Sequence, residues 1–253
     1  MTPTAPDFPI TPEVISQRDP AWSWEDLALF IGSAFPALLA GTAALSAWKW
    51  LTPKAVANQT TAALVFQVFA YAVLCAGLYG IVKIRYGQDF WAGLGWCWPR
   101  RAWQMVALGP VLAIALASLG VAMGVPSQPS KIEELISTRS AFTAIAIFGI
   151  LFGPAFEELV FRGFIFPLVA RTTGPWLGVV ITAIPFGALH GVQNNWAWQP
   201  VLLITVAGVV FGIVRHRTGS TTAAFLLHAS YNATQFGLYA LTRFVDIPQM
   251  PST

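Results

Sequence analysis

Long apolar segments separated by short polar loops make up most of the sequence. A transmembrane helix needs about 20 mostly apolar residues, and seven segments approach or reach that length. We predict spans at 27–47, 62–82, 104–124, 141–170, 175–190, 200–214 and 220–241. The pattern therefore predicts an all-α fold, a polytopic transmembrane helical bundle of about seven to eight spans. The eighth candidate, at 88–98, is short and rich in Trp, and we interpret it as an interfacial segment.

Composition supports a membrane protein. Hydrophobic residues make up 56% of the chain and charged residues 10%, whereas a soluble domain has about 25% charged residues. No basic stripe indicates nucleic-acid binding, so the expected partners are the lipid bilayer and a substrate. The two cysteines, Cys75 and Cys97, show no metal-binding or disulfide spacing.

The chain divides into a polar N-terminal tail at 1–26, one integral membrane domain at 27–245 and a short C-terminal tail at 246–253. The N-terminus lacks the basic and apolar regions of a signal peptide, so we expect the first span to act as a retained insertion signal. More basic residues lie in the loops on the N-terminal side, which favours a cytoplasmic N-terminus. We expect an integral protein of a bacterial cytoplasmic (inner) membrane.

Three ionisable residues interrupt the apolar stretch "GPAFEELVFRGFIF" at 153–166. Charges in hydrocarbon are costly and need compensation. Glu158 and Arg162 are four residues apart and can pair on one helix face. Glu157 is turned about 100° away, so we expect it to face other groups, where it could act as a general base or acid. The alternative is a structural salt-bridge cluster that orders the bundle.

Two of the three histidines also lie in predicted spans. Phe186 and His190 share one face of the fifth span, and His228 and Asn232 share one face of the seventh. Polar groups inside membrane proteins usually face the bundle interior or a watery cavity, so we expect these groups to converge with the Glu-Glu-Arg cluster. Such a site could activate water and stabilise an oxyanion, or it could bind zinc. His216, in a basic loop, is expected to have no catalytic role.

The depths of the two candidate catalytic groups test this convergence. Counted from Ala141, Glu157 lies about 24 Å along the fourth span, and His190 lies about 22 Å along the fifth, which runs the opposite way. These depths match poorly unless one helix is long or displaced. We predict that the fourth span extends past Arg162 and that the fifth span starts outside the hydrocarbon. A large separation between Glu157 and His190 would contradict a shared site.

Three motifs together resemble one family. "EELVFR" (157–162), "FGALH" (186–190) and "HASYN" (228–232) are similar to the signatures E-E-x-x-x-R, F-x-x-x-H and H-x-x-x-N/D of the CPBP family of intramembrane proteases. This family includes the type II CAAX prenyl endopeptidases and bacteriocin-processing relatives. The resemblance covers about residues 141–240, the CPBP-like core.

The resemblance implies a role for each motif residue. Glu157 would be the general base that activates water with His190, and His228 and Asn232 would stabilise the oxyanion. The supporting residues would be Glu158, Arg162 and Phe186. The family has been described both as metalloproteases and as glutamate-dependent proteases. A zinc ion, if present, would be bound by Glu157, His190 and His228; we favour the metal-independent mechanism, so no cofactor is certain.

Three functions remain open at this point. The first is an intramembrane endopeptidase that cleaves a peptide or protein substrate in or at the membrane. The second is a non-proteolytic scaffold or bacteriocin self-immunity protein of the same fold. The third is a small transporter, which is disfavoured because no inverted repeat is visible. The resemblance does not establish a prenylated substrate.

Overall fold

The computed structural model describes residues 20–52, 59–125, 130–136 and 138–244, and these ranges contain helices, turns and loops but no strand. The predicted all-α fold is confirmed. The predicted C-terminal tail at 246–253 and residues 1–19 of the N-terminal tail lie outside the described ranges. The helices are α1 (Trp24–Leu51), α2 (Gln59–Arg85), α3 (Phe90–Gly93), α4 (Ala102–Ala122), α5 (Lys131–Leu135), α6 (Arg139–Thr173), α7 (Pro175–Leu189), α8 (Trp198–Thr218) and α9 (Thr221–Phe244).

Five helices among the described residues are long and apolar enough to cross a membrane, namely α1, α2, α4, α6 and α8. They correspond to the predicted spans one to four and six. The predicted fifth span is α7, which is apolar but has 15 residues, a length of about 22 Å. The predicted seventh span is α9, which has 24 residues and carries more polar side chains. The segment at 88–98 contains only the short helix α3, so it is not an additional span.

Helix pairing places α6, α7, α8 and α9 around one interior. The pairs α1–α2, α7–α8 and α4–α9 pack extensively, and the C-terminal part of α6 packs on α7. Aromatic and aliphatic side chains fill the centre, among them Phe164, Phe211 and Leu227, each at most 1% exposed. Many large apolar side chains on the outside of the bundle are exposed, as expected for surfaces that face lipid.

The fourth span, α6, contains two π-helical segments, Phe148–Phe152 and Leu159–Ile165. A π-helix makes i→i+5 hydrogen bonds, is rare, and occurs frequently at functional sites. Here one such segment ends just before the short α-helical stretch that carries Glu157 and Glu158, and the other begins directly after it. The prediction that this span extends past Arg162 is confirmed, because α6 continues to Thr173.

A turn at Gly174 sets the relative depth of the two candidate catalytic groups. Gly174 has a φ of 82°, in a region that favours glycine, and it reverses the chain from α6 into α7. Glu157 lies 17 residues before this turn (174 − 157) and His190 lies 16 residues after it (190 − 174). The poor depth match expected from the sequence therefore disappears, because the two groups are almost equally far from the turn that α6 and α7 share.

The chain enters the bundle earlier than the hydropathy pattern indicates. Helix α1 begins at Trp24, three residues before the predicted start at Leu27 (27 − 24). Asp26 accepts hydrogen bonds from the backbone N–H and the hydroxyl of Ser23, at 2.8 and 3.1 Å, which fixes the first turn. Trp22, which we expected in the polar tail, is 1% exposed and belongs to the core.

Candidate active site

A buried ion pair forms the base of the site. Arg162 Nη1 lies 3.0 Å from Glu158 Oε1, and the two side chains are 1% and 0% exposed. Arg162 Nη2 donates to the carbonyl oxygen of Gly208 in α8 at 2.6 Å. The guanidinium carbon also lies 4.4 Å from the centroid of the Phe186 ring, a cation–π distance. The pairing is the one that the i, i+4 spacing predicts.

Glu158 also holds His228 of α9. Its Oε1 atom lies 2.9 Å from His228 Nδ1. Because an ionised carboxylate only accepts hydrogen bonds, the Nδ1 atom carries the proton and donates. The imidazole ring stacks on Phe211, with ring centroids 4.5 Å apart and an interplanar angle of 22°. These two contacts fix the ring so that its Nε2 atom faces Glu157.

His190 is held in a similar way at the end of α7. Its Nδ1 atom lies 2.8 Å from the carbonyl oxygen of Phe186. A carbonyl oxygen can only accept, so Nδ1 donates and Nε2 has a free lone pair in the neutral imidazole. Phe186 therefore contributes both its ring and its backbone to the site: the ring lies against Arg162, and the carbonyl orients His190.

Glu157 is the carboxylate that the ion pair leaves out. Its Oε2 atom lies 3.9 Å from His190 Nε2 and 3.9 Å from His228 Nε2, slightly beyond hydrogen-bond distance. Its side chain is 22% exposed, whereas that of Glu158 is fully buried. The structure therefore brings together one accessible carboxylate and two oriented imidazoles from α6, α7 and α9.

Asn232 lies one turn after His228 and links α9 to α6. Its Nδ2 atom donates to the carbonyl oxygen of Gly149, in the first π-helical segment, at 2.7 Å. The amide has a second N–H, so the expected role in oxyanion stabilisation stays a prediction. His216, for which we expected no catalytic role, packs against Trp176 with ring centroids 5.1 Å apart.

The donor geometry does not support the predicted zinc site. Two ligand atoms about 2.0–2.1 Å from a tetrahedral zinc ion lie about 3.3 Å apart, and Glu157 Oε2 is 3.9 Å from each histidine Nε2. Among the residues that the structure describes, no group of three or more His, Cys, Asp or Glu side chains is arranged to hold a metal ion. Zinc binding by Glu157, His190 and His228 therefore stays a prediction that the structure does not favour.

Helix α8 contributes two groups that the sequence did not indicate. Phe211 stacks on His228, and Gly208 exposes its backbone carbonyl to Arg162. A side chain at Gly208 would meet the Phe186 ring at 2.9 Å and Arg162 Nη2 at 3.3 Å. The sequence signal that could have indicated this contact is the G-x-x-x-G spacing of Gly208 and Gly212, which is typical of close helix packing in membranes.

One protein-family model matches the part of the chain that carries the three motifs. The family model described as "Type II CAAX prenyl endopeptidase Rce1-like" matches residues 139–234, which include α6, α7, α8 and the motif residues of α9. No curated protein and no solved structure matches the chain. The segment 139–234, which carries the three motifs that converge at one site, is therefore similar to the Rce1-like type II CAAX prenyl endopeptidases.

Proposed function

We propose that this protein is an intramembrane endopeptidase in which Glu157 and His190 activate a water molecule for attack on a peptide bond. The observation that supports this proposal is the position of the accessible Glu157 carboxylate, 3.9 Å from the Nε2 atoms of His190 and His228. A group that accepts a proton in the transition state must lie within reach of the attacking water, and a water beside Glu157 would also be close to His190.

The first step is deprotonation of the water. The Glu157 carboxylate and the free lone pair of His190 Nε2 both accept hydrogen bonds, so a water between them has two candidate bases. The Nδ1 contact of His190 with the Phe186 carbonyl keeps the lone pair on Nε2. The hydroxide adds to the carbonyl carbon of the scissile bond, and the accepted proton is later donated to the leaving amine.

The second requirement is a donor for the oxyanion. His228 can donate from Nε2 when both ring nitrogens carry a proton, and the Glu158 carboxylate, 2.9 Å from Nδ1, holds the ring in place. Asn232 has one amide N–H besides the one bound to Gly149. In a water-poor site, such preorganised donors stabilise the developing charge strongly. Arg162 compensates the Glu158 charge and so keeps this carboxylate available to His228.

The substrate that fits this site is a peptide segment in or at the membrane. The site lies among apolar helices, and the outer surfaces of the bundle carry exposed large apolar side chains. Nothing in this geometry requires a prenyl group. We also propose a cytoplasmic N-terminus in a bacterial inner membrane, which agrees with the basic loops on the N-terminal side.

The test is peptide cleavage in liposomes by wild type and Glu157→Gln. Wild type should cleave a peptide library, and the variant should lose at least about a hundredfold in rate because it lacks the proton acceptor. Glu134→Gln, an exposed carboxylate in α5, serves as the matched control and should retain full activity. Full cleavage by purified Glu157→Gln would refute the assigned mechanism.

A strong chelator, added to the same assay, addresses the metal question. Unchanged cleavage would support the metal-independent mechanism, and loss that is restored by zinc would support the Glu157, His190 and His228 ligand set. Absence of cleavage in every sample would favour the non-proteolytic scaffold or self-immunity function.

A further inference from the structure

The backbone of residues 162–164, in the second π-helical segment, is contacted by three groups from outside α6. The Arg162 carbonyl oxygen accepts from Arg215 Nε at 3.1 Å, and the Phe164 carbonyl oxygen accepts from Trp22 Nε1 at 2.9 Å. Between them, Gly163 packs on Leu94, whose carbonyl oxygen would lie 3.1 Å from a Cβ atom at that glycine. We call this set of contacts the 162–164 clamp.

Trp22 is the most remote part of the clamp in sequence, 142 residues from its acceptor. Its ring stacks on Phe164, with centroids 5.2 Å apart and an interplanar angle of 25°, and it is 1% exposed. The segment that carries it is fixed at the end of α6, because Arg171 Nη1 donates to the Pro20 carbonyl oxygen at 3.0 Å and Nη2 to that of Trp22 at 3.4 Å. This segment precedes the first span and lies outside residues 139–234, the range that matches the family.

The clamp is connected to the site by direct contacts. Arg162 lies within it and pairs with Glu158, and Glu158 in turn holds His228. A π-helical turn is a rare and locally irregular backbone geometry. The groups that donate to its carbonyl oxygens therefore fix the backbone position from which the Arg162 side chain extends. Loss of the Trp22 donor would therefore allow the ion pair, and with it the His228 imidazole, to shift.

We infer that Trp22 is a positioning residue for the Glu158–Arg162 pair and, through it, for His228. The segment before the first span is then part of the active-site framework. The activity readout of this inference rests on the proposed peptidase function, whereas the backbone readout below does not.

The variant that tests this is Trp22→Phe, which keeps an aromatic ring against Phe164 and removes the indole N–H. The matched control is Trp24→Phe, two residues further on at a position that is 48% exposed. We expect Trp22→Phe to lower kcat about tenfold, since small displacements of catalytic groups reduce rates strongly, to leave KM within about twofold, and to displace the pH–rate profile. Trp24→Phe should match wild type in all three.

The second measurement is amide hydrogen exchange of residues 159–165 in detergent micelles, which reports local opening of this turn. Exchange should be about tenfold faster in Trp22→Phe, as expected when one hydrogen bond is lost, and unchanged in Trp24→Phe. Wild-type exchange in Trp22→Phe, or wild-type kcat and pH–rate profile in an active protein, would overturn the inference. If wild type cleaves no peptide, the proposed function fails, and the exchange measurement still decides the role of Trp22.

A milder variant covers the case in which Trp22→Phe does not fold. Arg171→Gln removes the two donors that hold the Pro20 and Trp22 carbonyl groups and leaves the indole in place. We expect faster exchange at 159–165, by a smaller factor than for Trp22→Phe, together with a lower kcat. Wild-type exchange in Arg171→Gln would then overturn the inference.

Discussion

Removal of Arg162 should destabilise the protein more than any exposed charge substitution. Arg162→Met keeps an unbranched side chain of similar length and leaves the Glu158 carboxylate, which is fully buried, without its cation. Loss of one partner of a buried pair costs about 3–5 kcal/mol. For a chain of this size each kcal/mol shifts the melting temperature by about 2–4 °C, so the expected decrease is about 6–20 °C.

The assay is thermal unfolding in one detergent of wild type, Arg162→Met, Glu158→Gln and the double variant. The double variant contains no buried charge at this pair. It should recover about half or more of the decrease in melting temperature that Arg162→Met causes. Arg217→Met is the control, because this arginine is exposed and its guanidinium carbon lies 5.4 Å from the centroid of the Trp176 ring. This substitution should lower the free energy of unfolding by less than about 1 kcal/mol. A decrease of less than about 3 °C for Arg162→Met, or a double variant no more stable than this single variant, would show that the pair is not a tightly coupled buried charge pair.

Two further predictions concern packing and pH. Gly187→Ala would place a Cβ atom 2.9 Å from the Val201 carbonyl oxygen and should lower the free energy of unfolding by about 1–3 kcal/mol. Gly237→Ala would place a Cβ atom with nothing within 4 Å and should stabilise α9 by up to about 1 kcal/mol. Equal melting temperatures for the two variants would contradict this prediction. The hydrogen bond from Tyr86 to the Asp26 carboxylate at 2.6 Å raises the pKa of Tyr86. The stability that this bond contributes is therefore complete below the ordinary tyrosine pKa of about 10 and is lost as the pH rises through the raised pKa. The measurement is the absorbance titration of wild type from which that of Tyr86→Phe is subtracted. A pKa at or below about 10 for the tyrosine in this difference would disprove the prediction.

The sequence predicted the parts of the fold and site that depend on local spacing. Helix periodicity placed Glu158 and Arg162 on one face and left Glu157 free, and hydropathy located the long helices. The four-residue spacing of Phe186 and His190 also corresponds to a contact, through the carbonyl of Phe186 and the imidazole. Each of these inferences needs only the geometry of one helix.

Contacts between distant segments could not be predicted in this way. Hydropathy gives no reason for Trp22, in a Pro-rich polar segment, to be buried against α6, and it does not reveal the π-helical turns. The hydrogen bond from His228 to Glu158 depends on how α9 rotates relative to α6. The depth mismatch arose because the depth of Glu157 was counted from Ala141, at the start of the fourth span, whereas the turn at Gly174 is the point that the two helices share.

The turn at Gly174 has a consequence for the evolution of chain length. Since Glu157 and His190 lie almost equally far from this turn, one residue inserted within either helix would move its group by about 1.5 Å along the axis and about 100° around it. Insertions at the turn itself would leave both helices in register with the bundle. We therefore expect homologous chains to vary in length at the turn and to keep the two distances of 17 and 16 residues.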